Sequence, residues 1–138
     1  MISLINGTVF HIEKNPIGNV ADILTSSGIG YQIHILDDVK KNDEVILYLI
    51  SSFDANGVLV RIYGYGTPEA RKIHNLLTDI QGLGSSNAFN LLSIGVEKLL
   101  EALEHGDEAT LKQIKGIGPK LIQKIFSYYT EKKNAFPS

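Results

Sequence analysis

Apolar and polar residues alternate through the first half of the chain, and the spacing then becomes helical. In Gly30–Ile35 every second residue is large and apolar, which is typical of a strand with one buried face. Val45–Ile50 is apolar at every position, which favours a central strand. Turn residues separate five segments that we predict as strands: Ile2–Ile12, Asn19–Thr25, Gly30–Ile35, Val45–Ile50 and Val58–Tyr63.

Five short strands with a long first one predict a closed barrel of the OB type over residues 1–66. An open five-stranded meander is the alternative. From Thr67 the helical spacing begins, since Thr67 can cap a helix and Pro68 suits its first position. Five helices in two hairpins are expected, one of them at Val96–His105, and Asp107 can cap the short helix after it. The fold class is therefore α+β, a barrel domain followed by an all-α domain over residues 67–134.

The helical region contains a pattern that occurs twice, 34 residues apart, at Leu77–Leu92 and Leu111–Phe126. Each copy is an apolar helix end, a Gly-apolar-Gly triplet and the start of another helix. The triplets are Gly82-Leu83-Gly84 and Gly116-Ile117-Gly118. Both copies resemble the helix-hairpin-helix motif, and the second departs from it only in having Ile122 where a small residue is usual.

The triplet has the residue types that an anion-binding turn needs. Glycine adopts positive φ without a Cβ penalty, so one helix can end and another begin within a few residues. The second glycine leaves unpaired N–H groups and the positive end of the helix dipole facing outward. Main-chain donors carry no base information, so the pattern predicts sequence-independent binding to a nucleic-acid backbone. The alternative is a helical bundle whose turns only cap helices.

Charge is distributed unevenly along a chain whose formal net charge is −2. Residues 1–66 hold four Lys and Arg against seven Asp and Glu, whereas the remainder holds nine against eight. Ala109–Lys133 has six lysines and one acid, Glu131. This local excess around the second triplet suits a surface that faces phosphates, although a merely solvated helix face would look the same.

Candidate catalytic chemistry is lacking in the sequence. There is no cysteine, no Walker loop and no HExxH spacing among the four histidines. The histidines are expected on strands or helix surfaces. We therefore predict no catalytic residue, no metal and no cofactor. Two alternatives remain: a glycosylase that uses the same hairpin beside a base-flipping pocket, and a DNA-binding adaptor whose barrel engages single strands.

The order of these elements resembles the RuvA family along essentially the whole chain. The opening Met1-Ile2 with Gly7, the segment Gly28–Tyr31 and the aromatic-glycine segment Ile62–Tyr65, interpreted as a hinge, carry the resemblance with the tandem hairpins. The resemblance implies a non-enzymatic homotetramer, or an octamer of two such rings, that binds four-way (Holliday) junctions in recombination and repair. The partner motor would be the RuvB hexamer. We expect a cytoplasmic protein without a membrane segment.

The resemblance also assigns site residues. It implies one phosphate cradle at Gly82, Gly84, Ser85 and Ser86. The other is implied at Gly116, Gly118 and Lys120, with Lys124 adding charge to that second site. The family often has Pro-Lys where this chain has Ser85-Ser86, so the first cradle is expected to be less electrostatic.

Two further departures from the family concern the strand-separating pin and the chain end. The family usually carries two adjacent acids at the tip of the hairpin between the last two barrel strands, and here Asp54 is the one acid. Asp54 is the candidate pin residue, unless it only initiates a turn beside Asn56-Gly57. Residues 135–138 are expected to start the linker to a RuvB-binding domain, which this sequence does not include.

Overall fold

The computed structural model describes residues 2–138, which divide into two compact units, residues 2–71 and Lys72–Ser138. The first unit contains five strands: β1 (Leu4–Lys14), β2 (Asn19–Leu24), β3 (Gly30–Ile35), β4 (Glu44–Phe53) and β5 (Leu59–Tyr65). They form a closed barrel in the order β1-β2-β3-β5-β4. This order confirms the predicted OB-type barrel, and the open meander is wrong.

The long first strand closes the barrel because it pairs with two neighbours. Thr8 is opposite Leu24 of β2 and also opposite Glu44 of β4. At this crossing Gly7 allows the close approach of β2, since a Cβ there would lie 2.6 Å from the Leu24 carbonyl oxygen. A short parallel pairing of β3 with β5 completes the circle.

The barrel interior corrects two expectations. Ile33, Ile35 and Leu47 point into the core with almost no exposure, as alternation requires. Ile46, however, is 58% exposed, so β4 has one outward face and is not buried on both sides as its composition indicated. The segment interpreted as a hinge is the end of β5, where Tyr63 and Tyr65 are buried. It belongs to the barrel and is not a linker between elements.

Five helices follow: α1 (Pro68–Thr78), α2 (Ser85–Leu92), α3 (Val96–His105), α4 (Glu108–Lys112) and α5 (Pro119–Lys132), with a 3₁₀ turn at Lys133–Ala135. Local chemistry sets their bounds. The Thr67 hydroxyl accepts the Ala70 N–H at 3.3 Å, and the Asp107 carboxylate accepts the Thr110 N–H at 3.2 Å. Gly106 ends α3 with a φ of 60°. Both predicted caps and this helix end are confirmed.

The helical unit is held together by apolar residues at the repeated positions. Leu77 and Leu111 are fully buried, and so are Ala88 and Ile122. Phe136 is buried as well, with its ring centroid 5.0 Å from that of Tyr129. That residues 135–138 start a linker stays a prediction. Of these four residues, Phe136 packs into the helical unit.

Candidate nucleic-acid interface

The two glycine triplets fold into equivalent turns. In the first, the Leu83 N–H donates to the Ile80 carbonyl at 3.0 Å; in the second, the Ile117 N–H donates to the Ile114 carbonyl at 3.2 Å. The middle residues Leu83 and Ile117 are only 3% and 6% exposed. They anchor each turn in the core, which leaves the flanking glycines at the surface.

The two glycines of each turn have different conformations. Gly82 and Gly116 have φ of 88° and 85°, a region that favours glycine. Gly84 and Gly118 have φ of −90° and −99° and serve as the N-caps of α2 and α5. Within residues 2–138 no side chain caps either helix. The first N–H groups of these helices therefore have no intrahelical or side-chain acceptor.

The surface at both N-caps is open to a ligand. Apart from its own residue and the two neighbours in the chain, a Cβ on Gly84 or Gly118 would meet no atom within 4 Å. Glycine at these positions is thus required neither by the backbone angles nor by protein packing. Its remaining advantage is that an external group can approach the bare backbone. Pro119 reduces the donor set of α5 because it has no N–H.

The first turn also carries hydroxyl groups, and a buried histidine holds one of them. Ser86 is exposed, whereas Ser85 is half-buried with its Oγ 3.1 Å from Nε2 of His74. His74 has no exposed surface, and burial lowers its pKa to about 4. The expectation of a surface histidine is wrong here, because α1 turns this position toward the apolar core that includes Ile73 and Leu77. His74 lies three residues before Leu77 and therefore on the apolar face of the helix, and this spacing could have predicted its burial.

All six lysines of Ala109–Lys133 are exposed, but they are not equivalent. Lys133 pairs with Glu104 at 2.6 Å, and Lys112 lies 3.9 Å from Glu108. Lys120, in the first turn of α5, is in none of the ion pairs formed by the described residues. The Lys124 ammonium lies 3.4 Å from the Gln81 carbonyl oxygen and thus at the first turn.

Asp54 occupies the tip of the β4–β5 hairpin, where it organises the turn. Its Oδ1 accepts the Asn56 N–H at 2.8 Å and the Val58 N–H at 3.0 Å. The turn-initiating alternative is therefore present in the structure. Around this carboxylate the hairpin exposes large apolar side chains to at least 49% each, namely Phe53, Val58, Leu59 and Val60.

Metal-binding clusters and membrane-spanning helices are both lacking among the described residues. Residues 2–138 contain no group of three or more His, Asp and Glu side chains placed to hold a metal ion. No helix in this same range has the length and apolar character needed to cross a membrane.

Comparison with known proteins bears on the helical unit and on the whole chain. Residues 75–127 match the family described as a SAM-like helix-hairpin-helix tandem. This range contains both glycine triplets and the starts of α2 and α5. The predicted tandem of helix-hairpin-helix motifs is thereby confirmed.

Relatives matched over most of the chain share the name Holliday junction branch migration complex subunit RuvA. The protein of Finegoldia magna is 30% identical over 150 residues, which cover 100% of this chain and 70% of that protein. Those of Gloeothece citriformis and Paracoccus denitrificans are 28% identical, covering 91% and 98% of this chain. The chain spans only 62% and 60% of these two relatives' length. The five-stranded barrel, the tandem hairpins and the end-to-end similarity agree, and the chain belongs to the RuvA family.

Proposed function

We propose that this chain binds four-way junction DNA through main-chain N–H groups at the starts of α2 and α5. The observation that carries the proposal is the pair of open N-caps, Gly84 and Gly118, in two turns of the same hydrogen-bond pattern. Each N-terminus offers unpaired donors and the positive end of a helix dipole to a phosphate oxygen. Gly82, Gly116, Ser85 and Ser86 shape or extend these cradles, and Lys120 and Lys124 supply charge.

Recognition of this kind depends on DNA shape and not on base sequence. Contacts to phosphate fix the position and orientation of a protein on the duplex but do not read bases. Two cradles at a fixed separation within one unit suit the regular spacing of phosphates along one duplex arm. Preference for a four-way junction then requires several subunits, each gripping one arm.

We propose that the chain assembles as a homotetramer. An octamer made of two tetramers would bind DNA through the same two cradles. The barrel has apolar side chains on its outer face that support a contact between subunits. Leu4 of β1 and Ile46 of β4 are 52% and 58% exposed, and their positions in the register place them diagonally across one strand pair. As a RuvA-type subunit the chain would act in branch migration with the RuvB motor, since its relatives carry the name of that complex.

Asp54 is proposed as the pin residue at the centre of such an assembly. Its side chain is exposed at the hairpin tip, where a carboxylate repels phosphates. Because its Oδ1 also organises the turn, charge and turn geometry have to be separated by experiment.

The test compares binding of a synthetic four-way junction, its duplex arm and a single strand at fixed salt concentration, with the mass of each complex. We expect the junction to be preferred, with no dependence on base sequence. Gly84→Ala and Gly118→Ala each add a methyl group where the phosphate must approach, and each should weaken junction binding by about tenfold. Gly30→Ala is the matched control, because its Cβ also meets nothing within 4 Å.

Three outcomes would contradict the proposal. Equal affinity for junction and duplex would remove the structural preference. Tightest binding to the single strand would favour an adaptor that uses the barrel. Unchanged binding by the folded Gly84→Ala and Gly118→Ala variants would show that the open N-caps are not the DNA site.

A further inference from the structure

The two hairpins are tied together by a reciprocal pair of hydrogen bonds. The Asn90 side-chain amide in α2 donates to the Lys115 carbonyl at 3.1 Å. The Lys124 ammonium in α5 donates to the Gln81 carbonyl at 3.4 Å. Asn90 and Lys124 are equivalent in the duplicated sequence, 34 residues apart, and so are Gln81 and Lys115. Each turn is therefore held by the same position of the other repeat.

The surroundings of Gly82 and Gly116 show independently that each turn contacts the other repeat. A Cβ on Gly82 would lie 3.7 Å from the Lys124 Nζ, and a Cβ on Gly116 would collide with Oδ1 of Asn87 in α2. The first glycine of each turn thus faces the second helix of the other repeat. This exchange between repeats cannot be read from either copy alone.

The exchanged side chains differ in charge, which gives the two turns different chemistry. The helix that follows the first turn begins Ser85-Ser86-Asn87 and has no basic residue of its own. The second turn is followed by Lys120 and meets only neutral side chains of the other repeat, those of Asn87 and Asn90. The second turn therefore has lysines from its own repeat, Lys115 and Lys120, whereas the lysine at the first turn, Lys124, comes from the other repeat.

We propose that Lys124 is the phosphate-binding cation of the first cradle, and not of the second cradle to which the family resemblance assigned it. An ammonium group has three N–H donors, and one of them is directed at the Gln81 carbonyl. The others can bind a phosphate oxygen beside the bare start of α2. The inference rests on the proposed function, and it names the residue that supplies charge where Ser85-Ser86 replaces a lysine.

A double-mutant cycle on the whole chain tests this assignment with a synthetic four-way junction as the probe. Lys124→Met should weaken binding several-fold and reduce the magnitude of the slope of log K against log salt by about 1 for each bound subunit. In the Gly84→Ala background, where the first cradle is already blocked, this loss should largely disappear. In the Gly118→Ala background the full loss should remain.

Lys120→Met is the matched control, and it should show the opposite coupling, with Gly118 and not with Gly84. Lys124→Arg keeps the charge and should restore most of the affinity. In the absence of DNA, Lys124→Met should shift the amide resonances of Gln81 and Gly82 more than those of Lys115 and Gly116. That measurement also reports whether the variant is folded.

The outcomes separate the inference from the proposed function. If the wild-type chain does not bind the junction, both are overturned. If it binds and Gly84→Ala weakens binding, but Lys124→Met has no effect or couples only to Gly118, the proposed function stands and the assignment of Lys124 is overturned.

Discussion

His74 connects the protein core to the start of α2, at the first glycine turn. Its ring is fully buried, and Nε2 lies 3.1 Å from the hydroxyl of Ser85, the first residue of α2. Burial lowers its pKa to about 4 from the ordinary value of 6.5, so the ring is neutral at pH 7. A neutral imidazole is both a donor and an acceptor, and it can hold the Ser85 hydroxyl without adding a buried charge.

This histidine predicts a loss of stability in mild acid. Between pH 6.5 and 4 the unfolded chain binds a proton at position 74 and the folded chain does not, so the free energy of unfolding falls as pH falls. From pH 7 to pH 5 the contribution of His74 is about 2 kcal/mol. Urea unfolding of the wild type and of His74→Gln at both pH values measures it.

The His74→Gln variant should lose about 2 kcal/mol less than the wild type on going from pH 7 to pH 5. His34, whose pKa is also lowered by burial, is present in both proteins and cancels in the comparison. Equal losses in the two proteins would mean that His74 titrates at its ordinary pKa and is accessible to water.

Alanine in place of each glycine of the first turn should affect the free energy of unfolding differently. Gly82→Ala forces a φ of 88° on a residue with a Cβ, which should lower the free energy of unfolding by about 1–2 kcal/mol. Gly84→Ala keeps an extended backbone in open space and should stay within about 1 kcal/mol of the wild type. Denaturant unfolding of both variants checks this, and a large loss in Gly84→Ala would contradict the open N-cap.

At the scale of elements, the β4–β5 hairpin combines an acidic tip with apolar flanks. Asp54 holds the turn through two backbone N–H groups, and Gly57 has a φ of 78° as the turn requires. Phe53 and Leu59 are paired across the strands, and both are about half exposed. The hairpin therefore presents one carboxylate within an apolar surface.

Two substitutions at Asp54 separate its charge from its role in the turn. Asp54→Asn removes the charge but keeps an oxygen that can accept the two N–H groups, whereas Asp54→Ala removes both. If the carboxylate repels phosphates, both variants should bind junction and duplex more tightly and discriminate less between them. Only Asp54→Ala should lower stability, by about 1 kcal/mol. If Asp54→Asn binds both DNAs as the wild type does, the pin role is contradicted.

At the scale of the whole molecule, the distribution of charge matters more than its total. The formal net charge is −2, yet Ala109–Lys133 has six exposed lysines and one acid. Two of those lysines are paired with Glu104 and Glu108, which precede the run. The remaining basic side chains include Lys120 beside the second turn and Lys124 at the first.

Salt dependence predicts how many subunits bind at once. If each subunit neutralises about two phosphates, one per cradle, the slope of log K against log salt is about −2 for one subunit and about −7 for four. Raising salt from about 50 to 200 mM would then weaken binding by about tenfold or by about 10⁴-fold. A junction titration at several salt concentrations measures the slope, and a slope near −2 would contradict binding by a tetramer.

Local chemistry explains why much of this molecule could be predicted from its sequence. The caps at Thr67 and Asp107 act over three residues, and the Gly-apolar-Gly turns close hydrogen bonds over the same short distance. Such interactions depend on neighbours in the chain and scarcely on the rest of the fold. The strands, the helices and the open starts of α2 and α5 were predictable for that reason.

The tertiary structure decided whatever depends on partners far away in the chain. Barrel closure left Ile46 exposed, and helix packing buried His74. The Lys124 ammonium reaches Gln81, 43 residues away in sequence, while a lysine of the same basic run, Lys133, is paired with Glu104. Residue types alone do not specify such pairings, because the packing of whole elements determines which side chains meet. The sequence thus determined the two turns and their bare amides, and the fold decided which charges accompany them.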